Sequence, residues 1–360
     1  MSFLDNLTIN LLNRSADMCV YSVRNTFPKE NLQYAFTDND LYKPNHFVYK
    51  DGDILFVVTR STTTPIDWQT DYDNEEIDAT IGTRTMKVHR GFYYSGLNIY
   101  NHTKPYILKH NGPVIFTGTS LGGCLAGVLG HMALTDPDMK GRNINSIGFA
   151  SAPSMEYVPE EYRSHIILLV NHNDIVTRMN IPNLYDTYRD AVETGTFKEA
   201  LLKDLNDHKV NKTVGVHIYN MTVDNIDRIT ETIYAYHKDK NIFKIRYLWG
   251  TVLHITDEIV HLKDLVINAT SLNRVYINEQ SYLDHSLAEY RKYFLKLYDG
   301  DKPIPSKANK TYKSQYIASL IILGFFVLIC IVLAISLIIA LRRERVISNI
   351  EKSGAATNLI

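Results

Sequence analysis

The chain has 360 residues, with 38 Lys and Arg against 39 Asp and Glu, a net charge of −1 and 45% hydrophobic residues. That length holds one large α/β domain plus an accessory segment, and the balanced, scattered charge excludes the basic stripe that a nucleic-acid partner requires. Three cysteines, Cys19, Cys124 and Cys330, provide no disulfide framework, which favours a reducing compartment around the bulk of the chain.

At the start, the spacing of Leu4, Leu7, Leu11, Leu12 and Met18 predicts an amphipathic helix over residues 1–24. Asp5, Asn6, Asn10, Asn13, Arg14 and Asp17 interrupt it too often for a secretory signal. Apolar runs then predict strands at 54–59, 114–117, 144–150 and 166–170, and helical patterns fall at 92–109, 121–134 and 197–207. Strands interleaved with helices imply an α/β fold with a mostly parallel central sheet covered on both faces. Residues 249–265 read as an apolar helical stretch containing His254 and His261.

Residues 1–300 are assigned to this domain, its core at about 32–290. Residues 301–316, with Pro303, Pro305 and several lysines, read as a tether. Residues 317–341 carry no charge and would span roughly 37 Å as a helix, more than the ~30 Å bilayer core. They are expected to form a single transmembrane helix, followed by a short basic tail at 342–360. Arg342, Arg343 and Arg345 on one side nearly balance Lys307, Lys310 and Lys313 on the other. A tail-anchored chain with cytosolic bulk is the favoured topology. Sequons at Asn6, Asn13, Asn101, Asn211, Asn220, Asn268 and Asn309 argue for a lumenal domain, so the side stays open.

The sharpest local signal is Gly118-Thr119-Ser120-Leu121-Gly122, a G-x-S-x-G between an apolar strand and a helix rich in small residues. A serine on so tight a turn needs glycines where Cβ atoms would clash, and the turn lifts its hydroxyl clear of the sheet. Ser120 is the candidate nucleophile, and the backbone N–H of Leu121 at the helix start is a candidate oxyanion donor.

With these residues in place, the sequence resembles the class 3 lipases over roughly residues 32–290. Val57 to Thr62, followed by Asp67-Trp68, is similar to the family's strand ending in an Arg-Gly-Ser/Thr turn, with Ser61 standing where glycine is usual. His89-Arg90-Gly91-Phe92 is similar to its His-x-Gly-Phe, and residues 118–123 to its elbow. Ile166 to Val170 followed by Asn171-His172-Asn173-Asp174 resembles the strand end that carries the triad acid, and Asp284-His285 with Tyr290 resembles the closing Asp-His…Tyr. The resemblance implies an α/β-hydrolase fold, a triad of Ser120, Asp174 and His285, and a second oxyanion donor at Thr62. His208, His217, His237, His254 and His261 are the competing histidines, while His89 is expected to brace the turn before its helix.

The implied reaction is hydrolysis of a lipid ester through an acyl-enzyme, with no metal or organic cofactor, at a bilayer that is both anchor and source of substrate. A tethered esterase or thioesterase on a soluble substrate, and an inactive lipase-fold interaction module, are the alternatives. By the resemblance, residues 63–87, with Trp68, Tyr72 and an acidic run, correspond to the family's lid, with a solvated loop as the alternative. The stretch of more than 100 residues from Asp174 to His285 is longer than in the fungal members, and its amphipathic helices suggest a cap over the acyl pocket.

Overall fold

The computed structural model describes residues 3–208, 213–258, 261–294 and 296–297, all within one compact unit, Met1–Ile304. The tether at 301–316, the apolar segment at 317–341 and the tail lie outside the described residues. Among the described residues no helix is long and apolar enough to cross a membrane.

The strands are β1 (Leu32–Phe36), β2 (His46–Asp51), β3 (Ile54–Thr59), β4 (Glu76–Ile81), β5 (Arg84–His89), β6 (Val114–Thr119), β7 (Ile144–Phe149), β8 (Ile166–Asn171), β9 (Thr251–Ile255) and β10 (Val266–Ile267). Eight of them form one sheet in the order β1-β2-β3-β6-β7-β8-β9-β10, and β4 pairs only with β5. The run from β3 to β9 is parallel, and antiparallel pairs close both edges. Every residue of β3, β6, β7 and β8 is buried, which is why these segments read as unbroken apolar runs rather than alternating ones.

Helices cover both faces. On one lie α3 (Arg90–Lys109) and α4 (Leu121–Thr135), whose Ile99, Leu125 and Val128 pack against Val57 and Phe116. On the other lie α1 (Ile9–Arg24) and a C-terminal helix, α10 (Leu287–Phe294), which bury Leu12, Tyr290 and Phe294 against Phe56 and Phe149. Each fully buried Phe contributes about 1.5–3 kcal/mol from area removed from water. The amphipathic pattern at the start is interrupted at Thr8, whose hydroxyl accepts from Leu11 N and caps α1 afresh after a one-turn helix, Phe3–Asn6.

A third apolar cluster belongs to the long segment after β8. Its helices are α5 (Ile181–Thr187), α6 (Phe197–Asp207), α7 (Thr213–Asp224) and α8 (Ile226–Lys238), gathered around Phe197, Leu201, Leu205 and Ile233. One reading changes here. The stretch at 249–265 is not helical: β-branched Thr251, Val252 and Ile255 pair in register with β8, and Leu262–Leu265 is a 3₁₀ turn. Pairing with a buried parallel strand overrides a helical pattern in so short an apolar run. Residues 63–87 are ordered as α2 (Pro65–Tyr72), with a Thr64–Asp67 capping box, followed by the β4–β5 hairpin.

Candidate active site

β6 runs straight into Ser120, which holds φ 57° and ψ −122°, a conformation that a residue bearing a Cβ adopts at a cost of about 1–3 kcal/mol. The surroundings hold it there. Ser120 N donates to Phe149 O at 3.0 Å on the neighbouring strand, and Cys124 N donates to Ser120 O at 3.0 Å as α4 begins. A Cβ on Gly118 would stand 2.4 Å from the backbone of Gly122, and one on Gly122 would stand 2.3 Å from Thr59 O. Both glycines are therefore demanded by the close approach of β3, β6 and α4, the reason anticipated for the motif.

Asp174 follows the end of β8 and is fully buried. Its Oδ1 accepts from Val176 N at 3.0 Å and from His285 Nδ1 at 2.9 Å, while Oδ2 accepts the Tyr290 hydroxyl at 2.7 Å. Donation from Nδ1–H to a carboxylate fixes the tautomer, so Nε2 is left to accept the Ser120 hydroxyl at 3.0 Å. Burial, with Asp174 next, pushes the Tyr290 hydroxyl well above its ordinary range, so it remains a donor.

His285 lies at the end of α9 (Glu279–Asp284), and its approach is braced by its neighbour. Asp284 Oδ2 accepts from Asn173 N at 3.0 Å, and Asp284 O accepts from Asn171 Nδ2 at 3.1 Å. Two bonds thus tie the histidine turn to the strand end that carries Asp174. Two of the competing histidines are engaged elsewhere. His254 Nε2 donates to His172 O at 2.8 Å, and His237 pairs with the Tyr185 hydroxyl at 3.2 Å. His208 caps the exposed end of α6, while His217 lies in α7 and His261 precedes the 3₁₀ turn.

Leu121 is the first residue of α4, so its N–H has no partner within the helix and sits at the positive end of the helix dipole. Thr62 lies with Ser120, Leu121 and His285 on one cavity of about 540 Å³. The loop that carries Thr62 is pinned from both sides. Asp67 Oδ2 accepts from Thr63 N and Thr64 N, each at 2.9 Å, and from Arg60 at 3.1 Å, while the Thr62 hydroxyl donates to Asp71 Oδ2 at 2.8 Å. Ser61 has no left-handed backbone, so glycine is not required there.

Asp71 is a member that no local pattern discloses, because its partner is nine positions away and α2 carries it into the cavity wall. Burial pushes its carboxyl up to about 8. His89 also lines this cavity, at the start of α3. Its Nδ1 accepts from Phe92 N and its Nε2 donates to Asp71 O at 3.1 Å, so it braces the turn as expected and touches no triad member. Burial holds it neutral, down at about 4. Gly91 is needed because a Cβ there would meet Thr70 O at 2.1 Å, where α3 crosses α2.

The family description lipase (class 3) matches residues 56–184, which run from β3 through the elbow and Asp174 into α5. Over this segment the chain is similar to the class 3 lipases. The match supports a carboxylic ester hydrolase. Similar solved structures include a triacylglyceride lipase from Rhizomucor miehei, 17% identical with a TM-score of 0.39, covering 48% of this chain and 76% of that one. A triacylglycerol lipase from Penicillium expansum is 18% identical, TM-score 0.39, covering 48% and 72%. A lipase from Rhizopus microsporus var. chinensis is 20% identical, TM-score 0.39, covering 48% and 69%. No curated protein matches the sequence. The class 3 match ends at residue 184, before α6, α7 and α8, and before His285.

Proposed function

We propose that this protein hydrolyses lipid acyl esters with Ser120 as nucleophile, His285 as general base and acid, and Asp174 as the group that orients the imidazole. The observation that carries this is the unbroken chain of bonds from Ser120 Oγ through His285 and Asp174 to Tyr290, opening onto a mostly apolar cavity. Ser120 Oγ attacks the ester carbonyl as its proton passes to His285 Nε2. The oxyanion then accepts from Leu121 N–H and Thr62 N–H, each worth about 3–4 kcal/mol in comparable sites. Collapse expels the alcohol, which takes the proton from His285, and water releases the acid by the reverse sequence.

In the same reading, residues 317–341 anchor the chain to a bilayer as a single span and keep its substrates, acylglycerols or phospholipids, close at hand. The apolar lining of the cavity favours a lipid over a soluble ester. The test uses the full chain in mixed micelles, comparing hydrolysis of long-chain diacylglycerol and phosphatidylcholine with that of a water-soluble acetate ester. The expected result is faster turnover of one or both lipids, together with retention of the protein in membranes washed with alkaline carbonate. Turnover of the acetate alone, or release by carbonate, would overturn the lipid or the anchor part respectively.

A further inference from the structure

The third apolar cluster is hollow. The cavity that opens beside Ser120 continues between helices α5 to α8, where its wall includes Ile181, Leu184, Leu201, Leu205, Ile218 and Ile229. The first five are buried members of the cluster's own core, and Ile229 packs half-buried against it. Protein interiors pack as densely as organic crystals, with few voids larger than a water molecule, so a packed helical insert would close such a space. Water is a poor occupant of the apolar end. At the end between the helices the wall is mostly apolar, and the Thr222 hydroxyl that α7 brings to it already donates to Ile218 O at 2.7 Å, so that end favours apolar ligands.

Ser120 lines the same cavity. We propose that this hollow holds the acyl chain of the ester bound at Ser120, a single long unbranched chain, and that Leu205 and Ile229 limit its length. This rests on the reading of Ser120 as nucleophile. It goes further by assigning acyl selectivity to α6 and α8, which lie beyond the residues matched to the class 3 lipases. Burying each further methylene favours the bound chain about fourfold until the space is filled.

The test uses p-nitrophenyl esters from C4 to C16 in constant detergent, and a small ethyl fluorophosphonate as a probe of the serine alone. Wild type should show kcat/KM rising with chain length, with a C16 to C4 ratio above 100. Ile229→Trp, which fills the hollow from a half-buried position, should lower that ratio at least tenfold. Leu205→Phe should move it the same way, which keeps the test decisive if one variant folds poorly. Wild type that fails to label with the small probe overturns the nucleophile reading and the acyl site with it. Labelled protein with a flat chain-length profile, or with the wild-type ratio in both variants, overturns the acyl site alone.

Discussion

The parallel sheet around Ser120 and the helical insert behind it are built to opposite standards. In the sheet, four neighbouring strands are buried along their whole length, and glycines at 118 and 122 leave no room even for a methyl group. That density holds Ser120 in a strained conformation and sets the donor–acceptor distances from Ser120 to Tyr290 between 2.7 and 3.0 Å. The insert is made of amphipathic helices around a cluster that contains an open cavity. Reaction geometry is held where the backbone is over-determined. Room for a substrate lies where side chains alone form the wall.

Four measurements can break or sharpen this contrast. The largest expected effect is on chemistry: His285→Ala should lower kcat/KM by about 10⁴-fold or more, because removing one member of a triad disables the unit. Steady-state kinetics on a short ester reads this, and a loss below tenfold would mean that His285 is not the base. Next comes stability. Phe149→Ala and Phe197→Ala each delete a fully buried ring and should each cost about 3–5 kcal/mol. In calorimetry the first should lower the transition of the whole unit, while the second should produce a separate, earlier transition of the insert. A single shared transition in both would show that the two regions unfold together.

Tyr290→Phe is milder. It leaves Asp174 Oδ2 without its 2.7 Å donor in a fully buried position, so stability should fall by about 1–3 kcal/mol in denaturant titration. Turnover should fall with it, since Asp174 then holds His285 less firmly. The smallest effect is a slope. Burial raises the Asp71 carboxyl to about 8, above the ~3.9 of an unfolded chain, so the folded state retains a proton that the unfolded state has lost. Its contribution to stability is fully present below about pH 4 and is lost as pH rises towards about 8. Asp71→Asn should therefore flatten the fall in Tm across that window, and an unchanged slope would mean that the carboxyl is ionised in the fold.

Much of the proposed reaction centre was legible in the sequence because its constraints are local. Gly118 to Gly122 declare a turn that only glycines permit, and the strands leading to Ser120 and Asp174 are too uniformly apolar to be half-exposed. His285 could be singled out only through the resemblance, since nothing in its immediate neighbourhood shows that Asp284 ties it to Asn171 and Asn173 more than 100 residues earlier. Asp71 left no trace at all, because burial by a distant surface changes a carboxylate without changing its neighbours in sequence. The strand at Thr251–Ile255 was misread for a related reason: a short apolar run takes its conformation from the partner it pairs with, here β8. The hollow in the insert is likewise a property of how four helices meet, and no single helix pattern contains it.

The most direct test of the Ser120 centre is labelling of the detergent-solubilised full chain with a fluorophosphonate, wild type beside Ser120→Ala, Asp174→Ala and His285→Ala. Rapid labelling of wild type, none in Ser120→Ala and at least hundredfold slower labelling in the other two is the predicted result. Wild type that stays unlabelled even with lipid micelles present, or Ser120→Ala that labels like wild type, would contradict it.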